Sequence, residues 1–267
     1  MRHHGQMHVP WPDVAGGPAP EPHDAGTVDG PHRLPRVTSF RTRRSTLSGG
    51  QQATWDRRWP DLGIQARTDD GKPVMNLDTA AWFGRTAPLV LEIGSGTGTS
   101  TLAMALAEPD IDVIAVEVYR KGLAQLLSGI DRAGINNIRL VRGDGVDVLE
   151  HMFAHETLTG VRVFFPDPWP KSRHHKRRLL QPATVALIAD RLRQGGVLHA
   201  ATDHVGYAEY IAEVGDAEPL LRRVEEVREE GAATERLPIS VQRPATKYEQ
   251  KALAGPDITE LIWEKRP

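Results

Sequence analysis

The 267-residue sequence contains no cysteine. That excludes a disulfide scaffold, a cysteine-ligated zinc site, an iron–sulfur cluster and a cysteine nucleophile, and it fits a cytoplasmic location. No apolar run approaches the ~20 residues needed to span a bilayer, so no membrane partner is expected. The first residues carry His, Pro and Gly without an apolar stretch, which argues against a signal peptide. Neither sign of charge dominates, since 33 Lys and Arg face 35 Asp and Glu. The balance hides an asymmetry. From Arg33 to Arg58 the cations Arg33, Arg36, Arg41, Arg43, Arg44, Arg57 and Arg58 face only Asp56, whereas from Glu209 to Glu235 nine acids face Arg222, Arg223 and Arg228.

Residues 1–35 hold seven Pro, five Gly and few aliphatic residues. Such a stretch cannot bury enough surface to offset its ordering entropy, so it reads as a disordered tail. His3, His4, His8, His23 and His32 are scattered through it at irregular spacing that fixes no ligand geometry, and no metal site is expected. Beyond it, residues 36–267 read as one domain.

From Pro88 onward the sequence alternates. Short apolar runs at Pro88–Ile93, Asp112–Glu117, Ile138–Arg142, Val161–Phe165 and Val197–Thr202 read as strands. Between and after them, helices are expected over Thr99–Ala107, Arg120–Ala133, Gly145–Phe153, Pro182–Arg193 and His204–Val214, with Gly195–Gly196 closing the fourth. Leu220–Val227 and Ile258–Glu264 are candidate further strands. This rhythm predicts an α/β fold, a mostly parallel sheet with helices on both faces. Ligands bind such sheets at the carboxyl ends of the strands, so the residues just after each strand are the informative ones.

After the first strand comes Glu92-Ile-Gly94-Ser-Gly96-Thr-Gly98. Glycines let the backbone turn tightly and approach a ligand, and the following helix aims its N-terminus at the same place. Thr99 stands where a dinucleotide fingerprint needs its third glycine. The acid-x-G-x-G-x-G pattern instead resembles the first motif of S-adenosylmethionine-dependent methyltransferases, whose cofactor has a cationic amino-acid end that suits Glu92. Glu117 ends the second strand, 21 positions beyond Gly96, where an acid can accept hydrogen bonds from ribose hydroxyls. That fits NAD and S-adenosylmethionine equally. In the methyltransferase pattern that this sequence resembles, an acid at the place of Asp144, after the third strand, bonds the adenine amino group; Asp144 is also a candidate helix N-cap, and the two roles are compatible.

The fourth strand ends in Phe165-Pro-Asp167-Pro-Trp169-Pro-Lys171. Three prolines in five residues stiffen the loop and place an acid, an aromatic and a base at low entropic cost. Lys171 to Arg178 then carries five fixed positive charges, two histidines and no acid. Beside a presumed catalytic loop, such a run points to a polyanionic substrate. Asp203 follows the fifth strand, and Thr246-Lys247-Tyr248-Glu249 groups a hydroxyl, a cation, an aromatic and a carboxylate suited to a guanine.

In combination, Ser39-Phe-Arg-x-Arg43, Leu91–Gly98, Phe165–Lys171 with its basic continuation, Ala201–Asp203 and Thr246–Glu249 resemble the bacterial tRNA (guanine-N7-)-methyltransferase family, in the family's order and from about Arg36 to the end. Two features depart from its pattern: the Pro-rich tail, and Ser95, where many relatives have a bulkier residue. The resemblance implies a Rossmann-like class I methyltransferase fold and methyl transfer from S-adenosylmethionine to N7 of the variable-loop guanine (position 46) of tRNA. It implies cofactor contacts for Glu92, Gly94, Gly96, Glu117, Asp144 and Asp167, with Asp167 also catalytic. It implies substrate contacts for Lys171, Asp203, Thr246, Lys247, Tyr248 and Glu249, and a path along the RNA for Arg173, His174, His175, Lys176, Arg177 and Arg178. Monomer and homodimer both remain open. A small-molecule methyltransferase would explain the glycines but not the basic loop. A non-catalytic RNA-binding protein would explain the charge but not acids at successive strand ends.

Overall fold

The computed structural model describes residues 46–224, 237–245 and 257–267, all within the unit Val37–Pro267. The tail, Ser39–Arg43 and Thr246–Glu249 lie outside the described residues.

Three elements precede the alternation read from the sequence: α1 (Gly49–Leu62), β1 (Gly63–Gln65) and α2 (Thr79–Phe83). A capping box opens α1: the Ser48 side chain accepts from the Gln51 backbone N–H, and the Gln51 side chain accepts from the Ser48 N–H. Then follow β2 (Leu89–Ile93), α3 (Thr99–Ala107), β3 (Asp112–Glu117), α4 (Arg120–Ala133), β4 (Ile138–Arg142), α5 (Gly145–His151) and β5 (Leu158–Phe164). After a 3₁₀ helix (Ser172–Arg177) come α6 (Pro182–Arg191), β6 (Leu192–Thr202), α7 (Val205–Ala217), β7 (Leu221–Arg223) and β8 (Thr259–Lys265).

The strands form one sheet in the order β1-β4-β3-β2-β5-β6-β8-β7. All neighbours from β1 to β6 run parallel, and β8 inserts antiparallel between β6 and β7. This is the expected mostly parallel sheet with helices on both faces. Leu91, Ile93, Ile114 and Val116 pack on one side against α5, α6 and α7. Val90, Val113, Ala115 and Leu140 pack on the other side against α1 and α4. Burial on both faces is why these strands read as continuous apolar runs rather than as alternation.

Several boundaries differ from the sequence reading: β5 starts at Leu158 and not Val161, β6 at Leu192 and not Val197, α5 ends at His151 and α7 runs on to Ala217. The Gly195–Gly196 pair does not close a helix. Helix α6 ends at Arg191, β6 starts at Leu192, and the glycines lie inside the strand, where the register against β5 shifts between Leu158 and Gly160. Gly195 has φ +73°, so the pair permits an irregularity rather than a helix stop. The strand expected over Leu220–Val227 is found only at Leu221–Arg223, and its continuation lies outside the described residues.

Candidate active site

Strand order reverses between β2 and β5, so the loops after them diverge and leave a crevice at the carboxyl ends of the strands. The loop after β2 turns through Gly94 and Gly96 at φ +79° and +57°. The N–H groups of Gly94 and Ser95 both donate to the Val116 carbonyl, at 2.8 and 3.1 Å. A Cβ on Gly94 or Gly96 would meet nothing within 4 Å, so the loop faces open space. A Cβ on Gly122, in α4, would stand 2.3 Å from the Gly96 carbonyl oxygen, which requires glycine there. Gly98 is the N-cap of α3, and no side chain caps the helix's first N–H groups.

Glu92 is buried at the end of β2. Burial pushes its carboxyl up to about 7, against the opposing pull of Arg162 and the Thr101 hydroxyl. Its Oε2, the Thr101 hydroxyl and the Ser95 hydroxyl are all buried without a well-formed hydrogen bond. Buried orphans of this kind are costly, and a ligand carrying a cation and donors would satisfy them.

Glu117 is also buried, but it is not orphaned. Its Oε2 accepts from Gly96 N–H at 2.9 Å, and its Oε1 accepts from Val118 and Tyr119 N–H at 2.7 and 3.0 Å. The carboxylate therefore shapes the glycine loop. With about four acceptor sites, it retains capacity for a further donor. Burial pushes its pKa up, these three N–H groups pull it down, and the charge of Asp167 adds to the rise. The loops after β3 and β5 are therefore electrostatic neighbours. Asp144 caps α5, accepting from Val146 N–H at 2.8 Å, so the N-cap role is met.

The proline loop holds Phe165 and Trp169 at φ +50° and +45°, unusual for bulky residues. Trp169 turns inward, 4% exposed, with His174 edge-on to its ring and the Arg177 guanidinium 4.9 Å from its centroid. Asp167 and Lys171 stay exposed, so the aromatic anchors the loop while the acid and base face out. Asp203 is likewise exposed on the same rim, next to His204, the N-cap of α7.

Arg178 requires a correction. It is not on the surface with its neighbours: it is 4% exposed, donates to the Pro168 carbonyl at 2.9 Å, and lies over the rings of Tyr207 and Tyr210 at 4.8 and 5.2 Å. Its long side chain ties the loop to α7. Of the rest of the run, Arg173 and Lys176 are exposed, while His174, His175 and Arg177 are half-buried. The N-terminal basic cluster is partly neutralised within the fold, because Arg57 binds Asp131 through both carboxylate oxygens and Arg58 lies 3.2 Å from the same group.

Sequence reasoning missed a buried polar row. Glu92, Arg162 and His199 are in register on β2, β5 and β6, and all are buried. Residues 237–245 lie over this face, with Ile239 and Val241 buried in the same cluster as Val90, Val197 and Ile262. Arg162 and His199 occupy ordinary strand positions, so only the pairing of strands reveals them.

No described helix is long and apolar enough to cross a membrane. A family model described as "Putative methyltransferase" matches residues 86–259. The tRNA (guanine-N(7)-)-methyltransferase of Mycobacterium sp. (strain KMS) is 71% identical, covering 100% of both chains. That of Mycolicibacterium gilvum (strain PYR-GCK) is 68% identical, again over 100% of both. Among solved structures, an rRNA methylase from Streptococcus thermophilus is 16% identical over 68% of this chain and 88% of its own, with a TM-score of 0.44. The strand-end acids and the glycine loop thus stand in a chain whose whole length matches one group of enzymes, and the chain belongs to the tRNA (guanine-N(7)-)-methyltransferase family.

Proposed function

We propose that this protein is a cytoplasmic enzyme that methylates N7 of the variable-loop guanine (position 46) of tRNA with S-adenosylmethionine, through a domain spanning residues 36–267. The observation that carries the cofactor assignment is the orphaned Glu92 oxygen, buried beneath an open glycine loop. Arg162 already faces this carboxylate as a charge but leaves Oε2 without a hydrogen bond, and the ammonium end of S-adenosylmethionine would bring the donors that an NAD-like ligand lacks there.

When bound, the cofactor supplies an electrophilic methyl on a sulfonium sulfur. Glu92 holds the ammonium end, and Gly94 and Gly96 allow close backbone approach. Glu117 uses its remaining acceptor capacity for the ribose, and Asp144 faces the adenine while capping α5. Guanine N7 has a free lone pair at neutral pH, so no residue need remove a proton. The work left to the protein is to align donor and acceptor. Asp167 stabilises the positive charge that develops on the purine and helps fix its edge. Lys171, Asp203 and Thr246–Glu249 hold the guanine and its flanks. Arg173, His174, His175, Lys176 and Arg177 face the RNA, which is read chiefly by shape and phosphates. The guanine leaves its stack to enter the crevice.

The test is methyl transfer from labelled cofactor to bulk tRNA and to a panel of small acceptors, with the modified base located by cleavage at 7-methylguanine. Labelled tRNA cut at position 46 is the expected result. Methylation of small acceptors alone would favour a small-molecule enzyme, and binding without transfer a non-catalytic RNA-binding protein. Asp167→Asn should fold normally, since the side chain is exposed, and lose about 10²–10³ in kcat. Near-normal turnover would remove Asp167 from the chemistry.

A further inference from the structure

Residues 237–245 are fastened to the sheet before they reach the active-site loop. Ser240 N–H donates to Glu108 Oε1 at 2.6 Å, and Arg162 donates to the Ser240 carbonyl at 3.0 Å and to Glu108 Oε2 at 2.7 Å. Three residues on, Arg243 lies with its side chain 3% exposed, its guanidinium 4.9 Å from the ring centroid of Phe165 and 5.8 Å from that of Phe164. One of its nitrogens is 3.4 Å from Glu260 Oε1, while Glu260 Oε2 is 2.7 Å from Nε2 of the buried His199.

Phe165 stands two residues before Asp167. Its backbone is in the left-handed region at φ +50°, a conformation that persists for a bulky residue only when its surroundings enforce it. Core packing does not enforce it fully, because Phe165 is 37% exposed. Its N–H is held by the Ala201 carbonyl at 2.8 Å, and the Arg243 guanidinium lies over its ring, 4.9 Å from the centroid. A guanidinium stacks on an aromatic face in a way that an ammonium cannot reproduce.

We propose that Arg243 is a positioning residue for methyl transfer: anchored by Glu260, it clamps the Phe165 ring and so fixes the direction in which Asp167 projects. The proposal rests on the reading of Asp167 as the active-site carboxylate.

The experiment is a double-mutant cycle on the full chain with tRNA, using Arg243→Met, Phe165→Leu and the pair. A displacement of about 1 Å at a reacting centre costs up to about 10²-fold, so each single variant should lower kcat by about 10–100-fold. Cofactor affinity, measured by calorimetry without tRNA, should stay within about twofold of wild type. If Arg243 acts through Phe165, the double variant is no slower than the worse single one, and Arg243→Lys recovers little. Multiplying losses, wild-type kcat in Arg243→Met, or full recovery with Lys would each overturn the proposal. Should Arg243→Met fail to fold, the cycle is run with Arg243→Lys, which keeps the charge facing Glu260. Asp167→Asn is assayed in parallel. Normal turnover by that variant defeats the reading of the site, whereas an inactive Asp167→Asn with an additive cycle defeats only the role of Arg243.

Discussion

At the scale of single residues, Glu92, proposed to bind the cofactor, is held ionisable in the interior at a cost to the fold. An unfolded glutamate titrates near 4.5, whereas the buried Glu92 carboxyl is pushed up to about 7. Between those values the folded state holds a proton that the unfolded state has lost, so stability falls as pH rises through the window. The contribution is fully present below about 4.5 and is lost once pH has passed about 7. Binding runs the other way: a cationic ligand end needs the ionised carboxylate, so cofactor affinity should weaken below about pH 7, by at most about tenfold per pH unit. Calorimetry from pH 5.5 to 8 checks this, and a flat profile would show that Glu92 does not face the cation. Glu92→Gln should lose most cofactor affinity yet melt higher than wild type at pH 8, the trade expected when a strained binding residue is relieved. The Glu92 motif was legible in the sequence because its spacing follows from one turn between a strand and a helix. That the same acid would be an orphan beside Arg162 was not legible, because the two are neighbours only through β2–β5 pairing.

At the scale of elements, the basic run divides into surface and anchor. The 3₁₀ turn sends Arg173 and Lys176 outward, leaves Arg177 over Trp169, and is followed by Arg178 folded under the loop against Tyr207 and Tyr210. Neutralising Arg173, Lys176 and Arg177 together should weaken tRNA binding and flatten its dependence on log salt by about one to three units, at roughly 0.7–0.9 per phosphate contact. Filter binding at several salt concentrations measures the slope, and an unchanged slope would mean the run is only a solvated face. Arg178→Ala should do something different: lower the melting temperature and loosen the proline loop, because it removes a buried guanidinium and the donor to the Pro168 carbonyl. Five charges within eight residues look alike as a string. What separates Arg178 from its neighbours is α7, which brings Tyr207 and Tyr210 to it from about thirty positions downstream. Likewise, Gly195–Gly196 looked like a helix stop, and only the pairing of β6 with β5 makes it a strand irregularity.

At the scale of the whole molecule, the site depends on one sheet whose strand ends bring Glu92, Glu117, Asp144, Asp167 and Asp203 to a common rim. A ligand that satisfies the buried orphans there should stabilise the fold by mass action, by about 2.7 kcal/mol at a hundred times its dissociation constant. For a chain of this size that corresponds to a rise in melting temperature of several degrees. Differential scanning fluorimetry with S-adenosylmethionine should show it for wild type and not for Glu92→Gln; an equal rise in both would place the cofactor elsewhere. The strand–helix alternation from Leu89 to Thr202, the acids that follow each strand and the stiff proline loop were set by the sequence alone. Each follows from local rules of burial period, glycine turns and proline geometry that need no knowledge of distant residues. Tertiary structure decided the rest: the register of Glu92, Arg162 and His199, the inward turn of Trp169 and Arg178, the internal pairing of Arg57 with Asp131, and the strap that lays Arg243 on Phe165. These relations join residues far apart in the chain, and their energies exist only once the sheet has brought them together.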